Sequence, residues 1–157
     1  MILAVAGGKG GVGKTTLSYN VAAALDAVVV DADLGMADLP AGRGPDLHDV
    51  LAGRASAVAT LRSGPVDVVP CGRPLAGARA ADLTRLAAAV EAVERERGTV
   101  VIDCPAGRRA DAGVPLAVAD ACLVVVSPRA FALADAVRTR ALARELDAGV
   151  AARAINR

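Results

Sequence analysis

Residues Gly8 to Thr15 follow the pattern G-x-x-x-x-G-K-[ST]. A loop of that spacing cradles phosphate through its backbone amides, which makes Gly8, Gly10, Gly11, Val12 and Gly13 candidate phosphate contacts. Lys14 reaches toward the β and γ phosphates, Thr15 offers a hydroxyl to Mg²⁺, and Thr16 joins the nucleotide-binding set. A second lysine, Lys9, lies inside the loop, where a plain phosphate loop needs only Lys14. Lys9 is either solvated charge or a residue with a task of its own. Two carboxylate sites can manage metal and water. Asp103 ends the run TVVID and looks like a Walker B aspartate, expected to hold Mg²⁺ directly or through a coordinated water. Asp31 and Asp33, in VVVDADLGMADL, are two apart, and on an extended chain they share a face. Both can point at the nucleotide; alternatively, one caps the turn that follows. Cys104, not a glutamate, follows Asp103. If the protein hydrolyses ATP, Asp33 is therefore the candidate for orienting water, and it joins Thr15 and Asp103 as a candidate metal ligand.

These residues need a frame. Continuous apolar runs at Ile2–Ala6, Val28–Val30, Val66–Val69, Thr99–Ile102, Leu123–Val126 and, more weakly, Val150–Ile155 read as strands buried on both faces. Helical spacing falls between them. In Lys14–Leu25 a stripe of Leu17, Val21 and Leu25 is expected to face the core. In Asp82–Arg97 the stripe is Leu83, Leu86, Val90 and Val93, with Asp82 as N-cap and Gly98 past the end. A third helix runs from about Phe131 to Leu146 and packs Val137, Leu142 and Leu146. Pro40–Val58 is irregular, with one short helix near Leu47–Leu51. This alternation predicts an α/β fold, a mainly parallel sheet flanked by helices on both faces. Its ligand site lies beyond the C-terminal strand ends, where Asp31, Asp33 and Asp103 fall.

The chain has 157 residues, 54% hydrophobic and 22% charged, as expected for one domain. A net charge of +1 gives no reason to expect nucleic acid as a partner. Cys71, Cys104 and Cys122 are widely spaced with no CxxC pair, which argues against a zinc or iron–sulfur site within one chain. The start, MILAVAGG, enters a strand without a basic segment, and no apolar run approaches bilayer length, so a cytoplasmic location is expected.

Four motifs in order, KGGVGKTT (Lys9–Thr16), DADLGMADL (Asp31–Leu39), LHDVLAG (Leu47–Gly53) and VIDCPAG (Val101–Gly107), resemble the MinD-like branch of the MinD/ParA deviant Walker A ATPases. The match extends through ADACLVVVSPRAFALADAVR (Ala119–Arg138) to INR at the end. The resemblance implies a P-loop NTPase fold of the SIMIBI type, ATP and ADP as ligands with Mg²⁺, and a homodimer formed on ATP binding. It gives Lys9 the role of crossing to the partner subunit's nucleotide, Asp33 that of a switch carboxylate, and Asn156 a contact with adenine. It implies slow, partner-stimulated hydrolysis that releases an activating or cargo protein. Relative to that family, residues 1–157 form a single ATPase domain without the usual C-terminal part. Attachment at the inner membrane face is expected only of a longer form carrying an amphipathic anchor. Two readings stand beside the switch: a nucleotide-binding adaptor without useful hydrolysis, and a ParA-like DNA-partitioning ATPase.

Overall fold

The computed structural model describes residues 1–7, 10–36, 39, 42–72, 80–107, 110–128 and 130–156. Six strands form one sheet in the order β3-β2-β4-β1-β5-β6: β1 Ile2–Ala6, β2 Val28–Asp31, β3 Val68–Val69, β4 Val100–Asp103, β5 Ala121–Val126 and β6 Gly149–Ile155. Every neighbouring pair is parallel. The order reverses around β1, which has β4 on one side and β5 on the other. The crevice beyond the C-terminal end of β1 is where ligands bind in open sheets of this kind.

Side-chain alternation along the strands sorts the core into two layers. Ile2, Ala4, Ala6, Val28, Val30, Val100 and Ile102 face one side, with helices α2 (Leu47–Leu51), α3 (Leu86–Arg97), α4 (Ala110–Val118) and α5 (Ala130–Glu145) over them. Val5, Val29, Val101 and Val125 face the other side, against α1 (Lys14–Leu25).

Several expectations need correction. The buried face of α1 is Lys14, Ser18 and Ala22, one residue round from the expected stripe. Leu17 and Val21 pack only partly, and Leu25 is 44% exposed. The same happens in α5, where Ala132, Ala136, Thr139 and Ala143 are buried while Val137 is 61% exposed. In both helices the side chains turned to the sheet are mostly small, so helix and strands approach closely and the larger aliphatics are pushed to the flank. The expected strand Val66–Val69 is shorter, at Val68–Val69. The expected helix from Asp82 is divided: Leu83–Arg85 is a 3₁₀ turn, with Asp82 accepting the Thr84 amide at 3.0 Å, and α3 begins at Leu86. Helix α4 was not among the expected elements; it carries Gly113 and Pro115, two residues that disfavour a helix interior.

Candidate nucleotide site

The chain leaves β1 at Gly7 and enters α1 at Lys14, with Gly13 as the N-cap at φ 90°. That left-handed backbone favours glycine, and space requires it too. A Cβ at Gly13 would stand 2.5 Å from Asn156 Nδ2. Gly8 and Lys9 fall outside the described residues; the rest of the loop, Gly10 to Gly13, precedes the N-terminus of α1. Backbone amides and the positive end of a helix make such a place attractive to an anion. Lys14 is only 8% exposed, so its long side chain is committed to the site and does not trail in solvent.

Asp103, at the end of β4, is 1% exposed and lies beside α1. Ser18 Oγ is 3.0 Å from Asp103 Oδ1 and 2.9 Å from the Lys14 carbonyl, so one hydroxyl proton serves two acceptors. Burial raises the Asp103 pKa; hydrogen bonds from the Thr15 and Ser18 side chains and the Lys14 charge pull it back. Ser18 was not among the expected site residues. Its position one turn past Lys14 was the only hint, because the face expected to be buried was Leu17, Val21 and Leu25 and not Lys14, Ser18 and Ala22.

Asp31 sits in register with Asp103 on the adjacent strand. Its carboxyl is pushed up to about 7, first by burial and then by the negative Asp103, while the backbone amides of Asp33 and Leu39 act against the shift. Oδ1 accepts the Asp33 amide at 3.2 Å; Oδ2 is buried and makes no hydrogen bond among the described residues. Asp33 Oδ1 in turn accepts the Met36 amide at 3.2 Å. Both open alternatives thus have a part in the geometry: each carboxylate caps the turn after β2, and Asp31 also faces Asp103. Asp33 contributes to the field at Asp103, which places it in the same charged neighbourhood.

Asn156, just past β6, donates from Nδ2 to the Val12 carbonyl at 3.0 Å, and its own amide bonds the Val126 carbonyl at 2.9 Å. It ties the outer strand to the phosphate loop. Beside it lies an apolar groove of about 240 Å³, lined by Gly13, Thr16, Leu17, Asn20, Ile155 and Asn156 among others. Thr16 is thereby set against the groove.

Behind the site, the turn after β2 is held by buried groups. His48 Nε2 is 3.2 Å from the Leu34 carbonyl, and Cys71 Sγ is 3.3 Å from the Asp33 carbonyl. Burial, with the charges of Asp31, Asp33 and Asp46, pushes the Cys71 thiol up, so it stays a donor. Cys104 and Cys122 are likewise buried thiols raised by desolvation.

The comparisons decide the family. Residues 3–152 match the model of the CobQ/CobB/MinD/ParA nucleotide binding domain. The chain belongs to this family. An uncharacterised ATP-binding protein of Methanocaldococcus jannaschii is 35% identical over 167 residues, a match that covers 99% of this chain and 63% of that protein. The cell division ATPase MinD of Pyrococcus furiosus superposes with a TM-score of 0.90 at 28% identity, over 97% of this chain and 70% of its own. MinD of Pyrococcus horikoshii, solved as a complex with Mg-ADP, gives 0.90 at 26% identity over 97% and 68%. The chain thus spans less than two-thirds of that curated relative's length, and within that span it has the P-loop NTPase fold of MinD.

Proposed function

We propose that this MinD/ParA-family chain is a cytoplasmic ATPase switch that dimerises on ATP, positions or recruits a protein partner, and releases it through slow, partner-stimulated hydrolysis to ADP and phosphate. The observation that carries the reading is the convergence of Lys14, Thr15 and Ser18, on the helix after the phosphate loop, with Asp103 and its register neighbour Asp31. Mg²⁺ fits this place: two carboxylates lie side by side, each 1% exposed, and Asp31 Oδ2 has no hydrogen-bond partner among the described residues. With Asp33 adding its charge to this pair and Lys14 acting on Asp103, the cluster still holds excess negative charge in a buried place, a cost that a divalent ion relieves. Thr15, Asp103 and Asp33 are the residues proposed to hold the ion, which when bound neutralises charge on the phosphate oxygens.

The protein groups then divide the work. Amides from Gly8 to Thr16 hold the phosphates, and Lys14 adds its charge at their far end. Asp33 gives up its turn-capping bond to Met36 and orients the attacking water. Asn156, already at the loop, meets the adenine in the adjacent groove. Lys9 is given to the partner subunit's nucleotide, where a cation supplied in trans is worth about 10³–10⁵ in rate. A chain that borrows this lysine turns over only as a dimer, which makes association the control point.

Sizing with ATP and Mg²⁺ against ADP, beside multi-turnover phosphate release, tests this. Lys9→Ala is expected to keep nucleotide binding and lose dimerisation or turnover. Lys14→Ala is expected to lose phosphate binding altogether. Full turnover in Lys9→Ala would end the shared-lysine mechanism, and nucleotide binding without any hydrolysis would leave an adaptor.

A further inference from the structure

The turn that carries Asp33 is not held by its own hydrogen bonds alone. His48 is the chain's single histidine and is 2% exposed, on the five-residue helix α2. That helix is docked firmly. Asp46 and Asp49 form a reciprocal capping box, and the Leu47 and His48 amides bond the Pro70 and Cys71 carbonyls just past β3, at 2.8 and 3.2 Å. Gly72, at φ 96°, seals the joint: a Cβ there would come within 2.3 Å of Asp46 Oδ2. From this base the imidazole points across to the turn after β2. A carbonyl can only accept, so the proton must be on Nε2, and His48 donates to Leu34. Cys71 donates its S–H to the preceding carbonyl, that of Asp33, with its sulfur 3.5 Å from the same ring nitrogen. Two buried donors from two different segments thus grip two successive carbonyls of one turn.

We infer that His48 and Cys71 are positioning residues for Asp33, fixing the backbone of its turn so that the carboxylate reaches the site by side-chain rotation instead of loop rearrangement. The inference rests on the ATPase reading, in which Asp33 orients water. Alignment of a reacting group is sensitive to small displacement, and an error of about 1 Å costs up to about 10²-fold in rate. The arrangement also explains a histidine placed where its Nδ1 is buried without a partner among the described residues. The cost of that orphaned acceptor is tolerated for the bond made by Nε2.

Four variants of the whole chain test the clamp. His48→Leu and Cys71→Ala remove a donor; His48→Gln and Cys71→Ser keep one. Expected for His48→Leu is a fall in kcat of about ten- to a hundred-fold, with KM and ADP affinity within about two-fold of wild type. Cys71→Ala is expected to fall less, and Gln and Ser to recover most of each loss. Amide hydrogen exchange, read without nucleotide, gives an arm independent of turnover: His48→Leu speeds exchange in residues 31–36 while β1 and β4 keep their protection. Wild-type kcat in His48→Leu, equal defects in Leu and Gln, or a rise in exchange spread across the sheet would each overturn the clamp. A wild-type chain that binds ADP but never turns over would instead defeat the ATPase reading and with it the catalytic role. Exchange in residues 31–36 then decides whether the clamp holds the turn at all.

Discussion

At the scale of single residues, the site is built by making carboxylates uncomfortable. Asp31 has a pKa of about 7 against an ordinary 3.8, with burial the first cause. The sign follows from which state holds the proton. Below the unfolded value both states are protonated and nothing is lost. As pH rises toward 7 the unfolded chain has released its proton and the folded chain has not, so stability falls; above 7 it levels off. Between pH 5 and 8 this amounts to about 2–3 kcal/mol. Asp31→Asn keeps an acceptor for the Asp33 amide and does not titrate. Wild type is therefore expected to lose about that much relative to the variant between those pH values, in urea melts without Mg²⁺ or nucleotide. Parallel curves would show that Asp31 is not strained. The candidate carboxylates themselves were legible, because Asp31, Asp33 and Asp103 each fall at or just past the end of an apolar run. Their division of labour was not. Whether a side chain caps a turn, faces a neighbour or does both depends on a few tenths of an ångström that spacing does not encode.

At the scale of elements, the helices show why a stripe of aliphatics can mislead. Periodicity identifies a helix well, and α1, α3 and α5 lie close to where it placed them. Choosing the inward face is harder when small residues line it. Ala22 is 0% exposed against the sheet and Leu25 is 44% exposed, so their sensitivities should be the reverse of their sizes. Ala22→Leu is expected to cost about 1–3 kcal/mol through overpacking. Leu25→Ala should stay within about 0.5 kcal/mol, as at other surface positions. Chemical denaturation of the two variants checks this, and a larger loss at Leu25 would restore the stripe Leu17, Val21 and Leu25. Helix α4 makes a related point. Gly113 and Pro115 are poor helix formers, while packing of Leu116 and Ala112 into the core outweighs that propensity.

At the scale of the whole molecule, nucleotide and fold stability are expected to be linked, because Ser18 of α1 meets Asp103 of β4 and the loop's Val12 meets Asn156 past β6 at the site. Mg-ADP at a hundred times its Kd should add about 2.7 kcal/mol to the unfolding free energy. Thermal melts with ligand, with ligand and EDTA, and with Lys14→Ala test this, and the shift should shrink in the second and vanish in the third. The parallel fold was evident from the alternation of apolar runs and helices, but the joint between α2, the β3 exit and the turn after β2 was not. It is made by residues as distant as Leu34 and Cys71, and no local pattern pairs them. One last consequence concerns β1, whose odd- and even-numbered residues point into opposite layers. The strand works as a ruler with two-residue divisions. One extra residue inserted within it would advance the phosphate loop by about 3.3 Å and swap the two layers at once. Two extra residues would restore the layers but leave the loop overshooting Asp103. The distance from Ile2 to Gly7 is thus a tolerance of the candidate nucleotide site, as binding on this chain as the identity of Lys14.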